Sequence, residues 1–483
     1  MNQGDPRRRE TGAEVRAPIV AMKRGNARGA KAGQESECTK DTPMETRSEP
    51  VPETAKQAEE VRARWAWAEP SVWTARMLTA LETGVKGGKW FSLIDKVHRP
   101  QNLRSAFTRV KANGGAAGVD HVSVDDYASP LEANLTHLAT ALQGGSYRPQ
   151  AVRRVWIPKP GSQEQRPLGV PTVRDRVVQG ALVNALEPIF ERDFAKHSYG
   201  FRPGRGCKDA LRRVVDLLHT DRVWVVDADL KSYFDTIPHE QLMRLVEKKV
   251  ADGRVLALVE LFLGQSILDG MRQWTPDAGT PQGAVLSPLL SNIYLDPLDH
   301  KMEKAGYEMV RYADDFVLLC KSESEAQQAL AMVREWTEAA GLMLHPEKTR
   351  IVDATQPGGF DFLGYHFERG YKWPRKKSLD KFKDAIRAKT SRSSGSSLSV
   401  IIADVNQTMR GWFEYFKHSH RYTFKPLDSW TRMRLRSILR KRNGRQGRGR
   451  GLDHNRWKND YFAAAGLFSL VAARQQFVNP LRR

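Results

Sequence analysis

The residues best placed for chemistry are acids at the ends of apolar runs. Arg311-Tyr312-Ala313-Asp314-Asp315-Phe316-Val317-Leu318-Leu319 reads as two short strands, Met309 to Tyr312 and Phe316 to Cys320, joined at a turn with two adjacent acids. Carboxylates at a hairpin tip between hydrophobic strands cost desolvation and mutual repulsion, which a dication offsets. A second such place lies upstream, where Val223-Trp224-Val225-Val226 ends in Asp227-Ala228-Asp229. If the two strands lie side by side, Asp229 and Asp314 meet at one end of a sheet, with Asp315 beside them. Three carboxylates could then hold two Mg²⁺ ions about 3.5–4 Å apart, clamping the attacking and leaving oxygens of a phosphoryl displacement. An Asp-Asp pair alone is more often a solvated turn. The flanking strands and the matching upstream acid favour the metal site.

Other elements must position these acids. Residues 153–161 and 166–171 form a hairpin carrying Arg153, Lys159 and Arg166. It is either a solvated basic ribbon or a flap whose cations hold a nucleotide triphosphate. Residues 172–190 read as an amphipathic helix, capped by Thr172 with Asp175 at its third position. The loop from Ser198 to Gly206, with Arg202 and Arg205, would let backbone approach a polyanion. Phe234, just past Asp229, is either a core aromatic or a ring that stacks on an incoming sugar. Gln282 and Gly283 lie in a Gly/Pro-punctuated turn where backbone could touch a base or ribose. Helices are expected over 124–143, 208–219, 240–268, 289–298 and 323–340, and a hairpin over 360–367. The glycine-rich loop 113–120 lacks the Gly-Lys-Ser/Thr of a phosphate-binding P-loop.

With 483 residues the chain should hold several domains. Lys and Arg number 77 against 56 Asp and Glu, a net +21 that suits a nucleic-acid partner. Three cysteines, far apart and without a CxxC pair, exclude a disulfide framework and suit a reducing cytosol. No apolar run approaches a membrane span, and the N-terminus lacks the apolar core of a secretory signal. Residues 1 to about 60 have almost no large apolar side chains and are expected to be disordered.

From about Lys372 the composition turns basic. The stretch 409–418 interleaves aromatics with cations, and no acid occurs between Trp430 and Leu452. A charge run is usually a solvated face, but an acid-free one beside aromatics is better read as phosphate binding.

In order, the chain carries Arg166-Pro-Leu-Gly-Val-Pro, Ser198-Tyr-Gly-Phe-Arg-Pro-Gly-Arg, Asp229-Leu-Lys-Ser-Tyr-Phe-Asp, Thr280-Pro-Gln-Gly, Tyr312-Ala-Asp-Asp, His345-Pro-Glu-Lys-Thr and Phe362-Leu-Gly. That series resembles the reverse transcriptase blocks of group II intron-encoded proteins, over roughly 85–370. The region 378–465, with Arg410-Gly-Trp412 and the basic helix after Trp430, is similar to their maturase domain, which doubles as the thumb.

The resemblance implies an α+β right-hand polymerase, fingers and palm with antiparallel sheet, followed by an α-helical thumb. It implies division into a tail 1–62, an N-terminal helical extension 63–130, fingers and palm 131–370, a thumb/maturase domain 371–452 and a basic segment 453–483. It makes Asp229, Asp314 and Asp315 the metal-binding catalytic acids, with two Mg²⁺ ions. It makes Arg153, Lys159, Arg166, Gln282 and Phe234 nucleotide contacts, Phe234 blocking the ribose 2′-OH. It makes Lys348 a general acid for pyrophosphate. For intron RNA it suggests Arg410, Trp412, Tyr415, Lys417, Arg434, Arg440, Lys441 and Arg442. The implied partners are the intron RNA, target DNA and dNTPs, with no membrane, in a bacterial cytosol or on the nucleoid. His454-Asn455 stands without paired cysteines, so the His-Asn-His endonuclease of many relatives is not expected. Two alternatives stay open: a splicing factor with little polymerase activity, and a reverse transcriptase of another retroelement.

Overall fold

The structure, a computed structural model, describes residues 53–158, 165–449 and 451–479. Residues 53–158, 165–194 and 238–294 form one compact unit, and residues 195–237 and 295–479 the other. Lys159 and nearly all of the stretch expected to be disordered lie outside the described residues. The helix Glu53–Arg64 corrects the expected tail boundary at 62. Its Glu, Lys, Arg and Ala residues are good helix formers, and Arg64 Nη1 reaches Glu82 at 3.0 Å.

The first unit is built around the helix Val173–Glu191. Thr172 caps it, its hydroxyl accepting from Asp175 N at 3.1 Å. The helix is not amphipathic as expected. All its residues from Val173 to Phe190 are buried except Arg174. Such a helix is tolerated because its polar groups find partners: Gln179 Oε1 accepts from Val285 N at 2.7 Å, and Asp175 from Tyr147 Oη at 2.7 Å. Two expected helices are broken. Pro130 splits 124–143 into Val124–Ala128 and Leu131–Gln143. Asp252 splits 240–268: its Oδ1 caps Gly253–Leu263, and its Oδ2 accepts from Leu93 N and Ile94 N at 2.6 and 2.8 Å. The chain then turns to strand at Ile267–Asp269. The sheet order is Gln165–Val170, Val152–Pro158, Ile267–Asp269, Arg272–Trp274.

The second unit holds an antiparallel sheet in the order Glu308–Tyr312, Asp315–Cys320, Trp224–Asp229, Arg350–Asp353. One face packs Val225, Val310, Val317 and Leu319 against the helix Cys207–Leu218 and the aromatics Phe360, Phe362, Tyr365 and Phe367. Those aromatics lie in a second sheet, Phe360–Phe362, Tyr365–Glu368 and Tyr371–Pro374, one strand more than the expected hairpin. Both of its turns have two residues of positive φ, Leu363-Gly364 and Arg369-Gly370, the geometry that matches strand twist.

The helices Lys376–Lys389, Leu398–Phe416 and Phe424–Arg442 enclose a separate core that includes Ile386, Ile402, Met409 and Leu435. Trp457, Phe462 and Leu470 belong to that core. Asp428 accepts from Leu470 N at 3.0 Å at the start of the last helix, Leu470–Val478. The stretch from 453 is therefore part of the helical domain rather than a separate basic segment.

Candidate active site

Asp229 ends one strand and pairs directly with Asp315, which begins the next. Directly opposed residues of an antiparallel pair share a face, and so do alternate residues of one strand. Asp229, Asp315 and Asp227 therefore lie on one face, the face whose far end carries Val225, Val317 and Leu319. Asp314 occupies the turn between Tyr312 and Asp315. The resulting electrostatics follow from this placement. Burial, then the charges of Asp227, Asp314 and Asp229, push the Asp315 carboxyl up to about 7 against the opposing pull of Arg375. Burial pushes Asp227 up to about 6, although Arg350 lies 3.4 Å away.

Among the described residues no three His, Cys, Asp or Glu side chains converge tightly enough to hold a metal ion as they stand. The donor chemistry nevertheless fits one. Crowded hard carboxylates at the rim of an apolar face repel each other, and a hard dication relieves that repulsion.

The downstream chain supplies a cation. Lys231 N donates to Met343 O at 2.8 Å, and His345 N to Asp229 O at 2.7 Å. This pairing brings Lys348 alongside, its Nζ 2.6 Å from Asp229 Oδ2. Phe234 follows the strand by one turn, through Ser232 at φ 50°. It is buried, with its ring edge-on to Tyr233 at 5.4 Å.

The turn itself is held from behind. Arg311 is fully buried, and its Nε donates to Asp299 Oδ1 at 2.8 Å while Nη1 donates to Ala313 O at 2.9 Å. Ala313 is left-handed, φ 61°. Its strained carbonyl direction is fixed by that bond. Tyr199 N donates to Arg311 O at 2.9 Å, and Arg311 N to His197 O at 3.0 Å. Gly200 comes so close that a Cβ there would lie 2.2 Å from Ala313 N. The Ser198–Gly206 loop thus uses its glycine to approach the Asp314-Asp315 hairpin rather than a polyanion. Arg202 is buried and donates to Ala195 O and Ser198 O at 2.6 and 2.8 Å.

In the first unit Arg166 and Gln282 come together, Arg166 Nε donating to Gln282 Oε1 at 2.8 Å. Gly169 N donates to Gln282 O at 2.6 Å, and Gly283, φ 107°, leaves no room for a Cβ beside Gly169 O, 2.6 Å away. The Thr280-Pro-Gln-Gly turn is thereby clipped to the strand that carries Arg166. Arg153 departs in part from the expected nucleotide contact. Its Nη2 donates to Ala117 O at 2.6 Å, so it holds the glycine-rich loop, as Arg176 does through Ala116 O at 2.6 Å.

The RNA candidates divide. Arg410, Lys441 and Arg442 are exposed. Trp412 and Tyr415 depart from that expectation, because their half-buried rings pack against the cores. Trp412 lies 4.9 Å from Phe382 and 4.8 Å from Phe416, and Tyr415 Oη donates to Leu363 O at 2.7 Å. Arg434 closes the end of the helix Lys376–Lys389, donating to Thr390 O at 2.8 Å. Arg440 pairs with Asp453 at 2.6 Å and Lys417 with Glu414 at 3.0 Å. Helix periodicity decides this: within 409–418 the aromatics turn inward and the outward positions keep the charges.

Sequence reasoning missed Asp227, Arg350, Asp299 and the role of Arg311. One signal was available: a charged residue inside an apolar strand, as Arg311 is, must find a buried partner.

This cross-strand acid pair, with a third acid in the turn, sits in a chain that matches two family models. Residues 157–367 match "Reverse transcriptase (RNA-dependent DNA polymerase)", and residues 379–457 match "Group II intron, maturase-specific domain". The protein is thus by class an RNA-directed DNA polymerase of α+β fold with a helical C-terminal region. Protein YkfC of Escherichia coli K12 is 33% identical over 353 residues, 64% of this chain and 86% of YkfC. Group II intron-encoded protein LtrA of Lactococcus lactis is 37% identical over 203 residues, 42% of this chain and 33% of LtrA. Nuclear intron maturase 2 of Arabidopsis thaliana is 31% identical over 251 residues, 44% of this chain and 34% of that protein. The chain belongs to the group II intron reverse transcriptase/maturase family, whose members act in intron splicing and mobility. Among the described residues no helix is long and apolar enough to cross a membrane.

Proposed function

We propose that the chain binds its own group II intron RNA, assists its splicing, and copies it into DNA from dNTPs at a DNA target. The observation that carries this reading is the pairing of Asp229 with Asp315, with Asp314 in the adjoining turn. These three acids would hold two Mg²⁺ ions, which when bound lower the pKa of a primer 3′-OH and neutralise pyrophosphate.

The chain's own residues position and shield. Asp229 and Asp315, fixed by the ladder, would present their oxygens to those ions in one geometry, and Arg311 fixes the turn that carries Asp314. Lys348 is near enough to Asp229 to deliver a proton to the departing pyrophosphate. Arg166 and Gln282 contact the incoming nucleotide, and Phe234 excludes a ribose 2′-OH. The exposed Arg410, Lys441 and Arg442 take RNA phosphates. We assign the protein to the cytoplasm, in keeping with relatives from two bacteria.

The test is Asp314→Ala in the purified protein. Primer extension on an RNA template with Mg²⁺ should vanish while intron splicing assistance survives. A wild type that assists splicing and extends no primer would leave only the RNA-binding half. The intact acid set argues against that second reading.

A further inference from the structure

The strand Tyr371–Pro374 and the connection between the helices Leu398–Phe416 and Phe424–Arg442 carry a continuous row of rings. Trp373 lies 5.6 Å from Tyr371, Tyr371 lies 4.8 Å from His420, and His420 lies 5.0 Å from Tyr422. Tyr371 and Tyr422 are 54% and 67% exposed, so these rings do not serve a core. His420 N donates to Lys372 O at 2.9 Å, which ties the connection to the strand and makes the row a fixed platform. Buried His420 Nδ1 finds no hydrogen-bond partner among the described residues.

The rim is cationic. Arg421 lies over the Tyr422 ring at 5.0 Å. Lys417 and Arg474 lie over Phe477 at 4.9 and 5.6 Å, and that ring meets His418 at 5.0 Å. Lys372 and Lys208 are further cations around His418. The acids among these groups are Asp216, beside Lys372, and Glu414, already paired with Lys417.

Exposed rings on a rigid strand, bordered by cations, are the chemistry that receives unpaired bases: rings stack on base faces and cations take phosphates. A duplex hides its base faces, so it would use the rim and leave the rings idle. The chain's match to a group II intron maturase domain makes RNA the strand this surface would receive. We propose that this surface docks an unpaired RNA segment, with bases on Tyr371 and Tyr422 and phosphates on Arg421 and Arg474. It rests on the reading of the chain as an RNA-binding protein and adds to it a base-stacking site remote in sequence from the basic helix.

The probe is a labelled single-stranded RNA of about ten nucleotides, bound to the full chain and followed by fluorescence anisotropy. Tyr371→Leu and Tyr422→Leu should each weaken binding about tenfold, within the range of one lost base stack. Tyr371→Phe and Tyr422→Phe, which keep the ring, should bind within about twofold of wild type by the same reasoning. The matching DNA should bind more weakly than the RNA. Leucine variants that bind like wild type, or equal affinity for the DNA, overturn the proposal. So does a change in the sedimentation of the RNA-free protein with RNA affinity unmoved, which would mark a protein contact. Thermal unfolding of each variant separates a lost ring from a lost fold. Primer extension by the wild type, measured in parallel on an annealed primer and template, reports on copying alone. A protein that extends but ignores the loss of its rings overturns this surface and spares the reverse transcriptase.

Discussion

Lys348 Nζ lies 2.6 Å from Asp229 Oδ2, an ion pair joining residues 119 positions apart at the end of the central strand. Three short backbone pairings make it. Leu230 bridges Leu344, Lys231 N reaches Met343 O, and His345 N reaches Asp229 O. The main chain therefore brings residue 348 close to Asp229, and the lysine side chain spans the rest.

If Lys348 protonates pyrophosphate, Lys348→Ala should lower the rate of single-nucleotide incorporation at saturating dNTP by about 100-fold, the usual scale for a lost general acid. The KM for dNTP should change much less. Incorporation within twofold of wild type would reduce Lys348 to a counter-ion for Asp229.

The Asp315 carboxyl titrates near 7 when folded, against an ordinary 3.8. The folded protein thus binds more protons than the unfolded chain between about pH 4 and 7. This group's contribution to stability is full below about pH 4 and is lost as pH rises through 7, and Asp227, pushed to about 6, acts in the same sense. Without dications the melting temperature should fall as pH rises from 5 to 8, and Asp315→Asn should flatten that slope. Protons compete with Mg²⁺ for the same oxygens, so apparent metal affinity should fall about tenfold for each pH unit below 7. A slope that Asp315→Asn leaves unchanged would locate the titration elsewhere.

Arg311 and Asp299 form a fully buried pair whose guanidinium also holds Ala313 O. Arg311→Met strands a carboxylate in the interior and should destabilise by about 3–5 kcal/mol in denaturant titrations. Adding Asp299→Leu should recover much of that stability. It cannot restore the bond to Ala313, so extension should remain depressed in the double variant. Recovery of both together would mean the turn holds its shape without Arg311.

Gly200→Ala puts a methyl group 2.2 Å from Ala313 N, against backbone that has nowhere to go. The hairpin or the loop must shift. Primer extension should fall by more than tenfold, since small displacements of positioned groups reduce rates on that scale. Gly204→Ala is the comparison, because a Cβ there meets nothing within 4 Å, although its φ of 70° adds local strain. Equal extension by the two variants would show that close packing at Ala313 does not matter.

The candidate site was legible where local sequence fixes local structure. An apolar run ending in acids makes a strand with carboxylates at its tip, and Thr172 with Asp175 marks a helix start; both stand in the fold. Breaks at Pro130 and Asp252 were also written locally, but their apolar periodicity on both sides concealed them.

The sequence by itself determined the acids, the order of motifs and the basic balance, because residue type, spacing and charge need no third dimension. Tertiary structure alone decided that Asp315 rather than Asp314 faces Asp229, since register is set by the whole ladder and not by either strand. It also decided that Trp412 and Tyr415 turn into cores while Tyr371 and Tyr422 stay in water. All four are large amphipathic rings. Which of them turns inward depends on what the rest of the chain brings alongside.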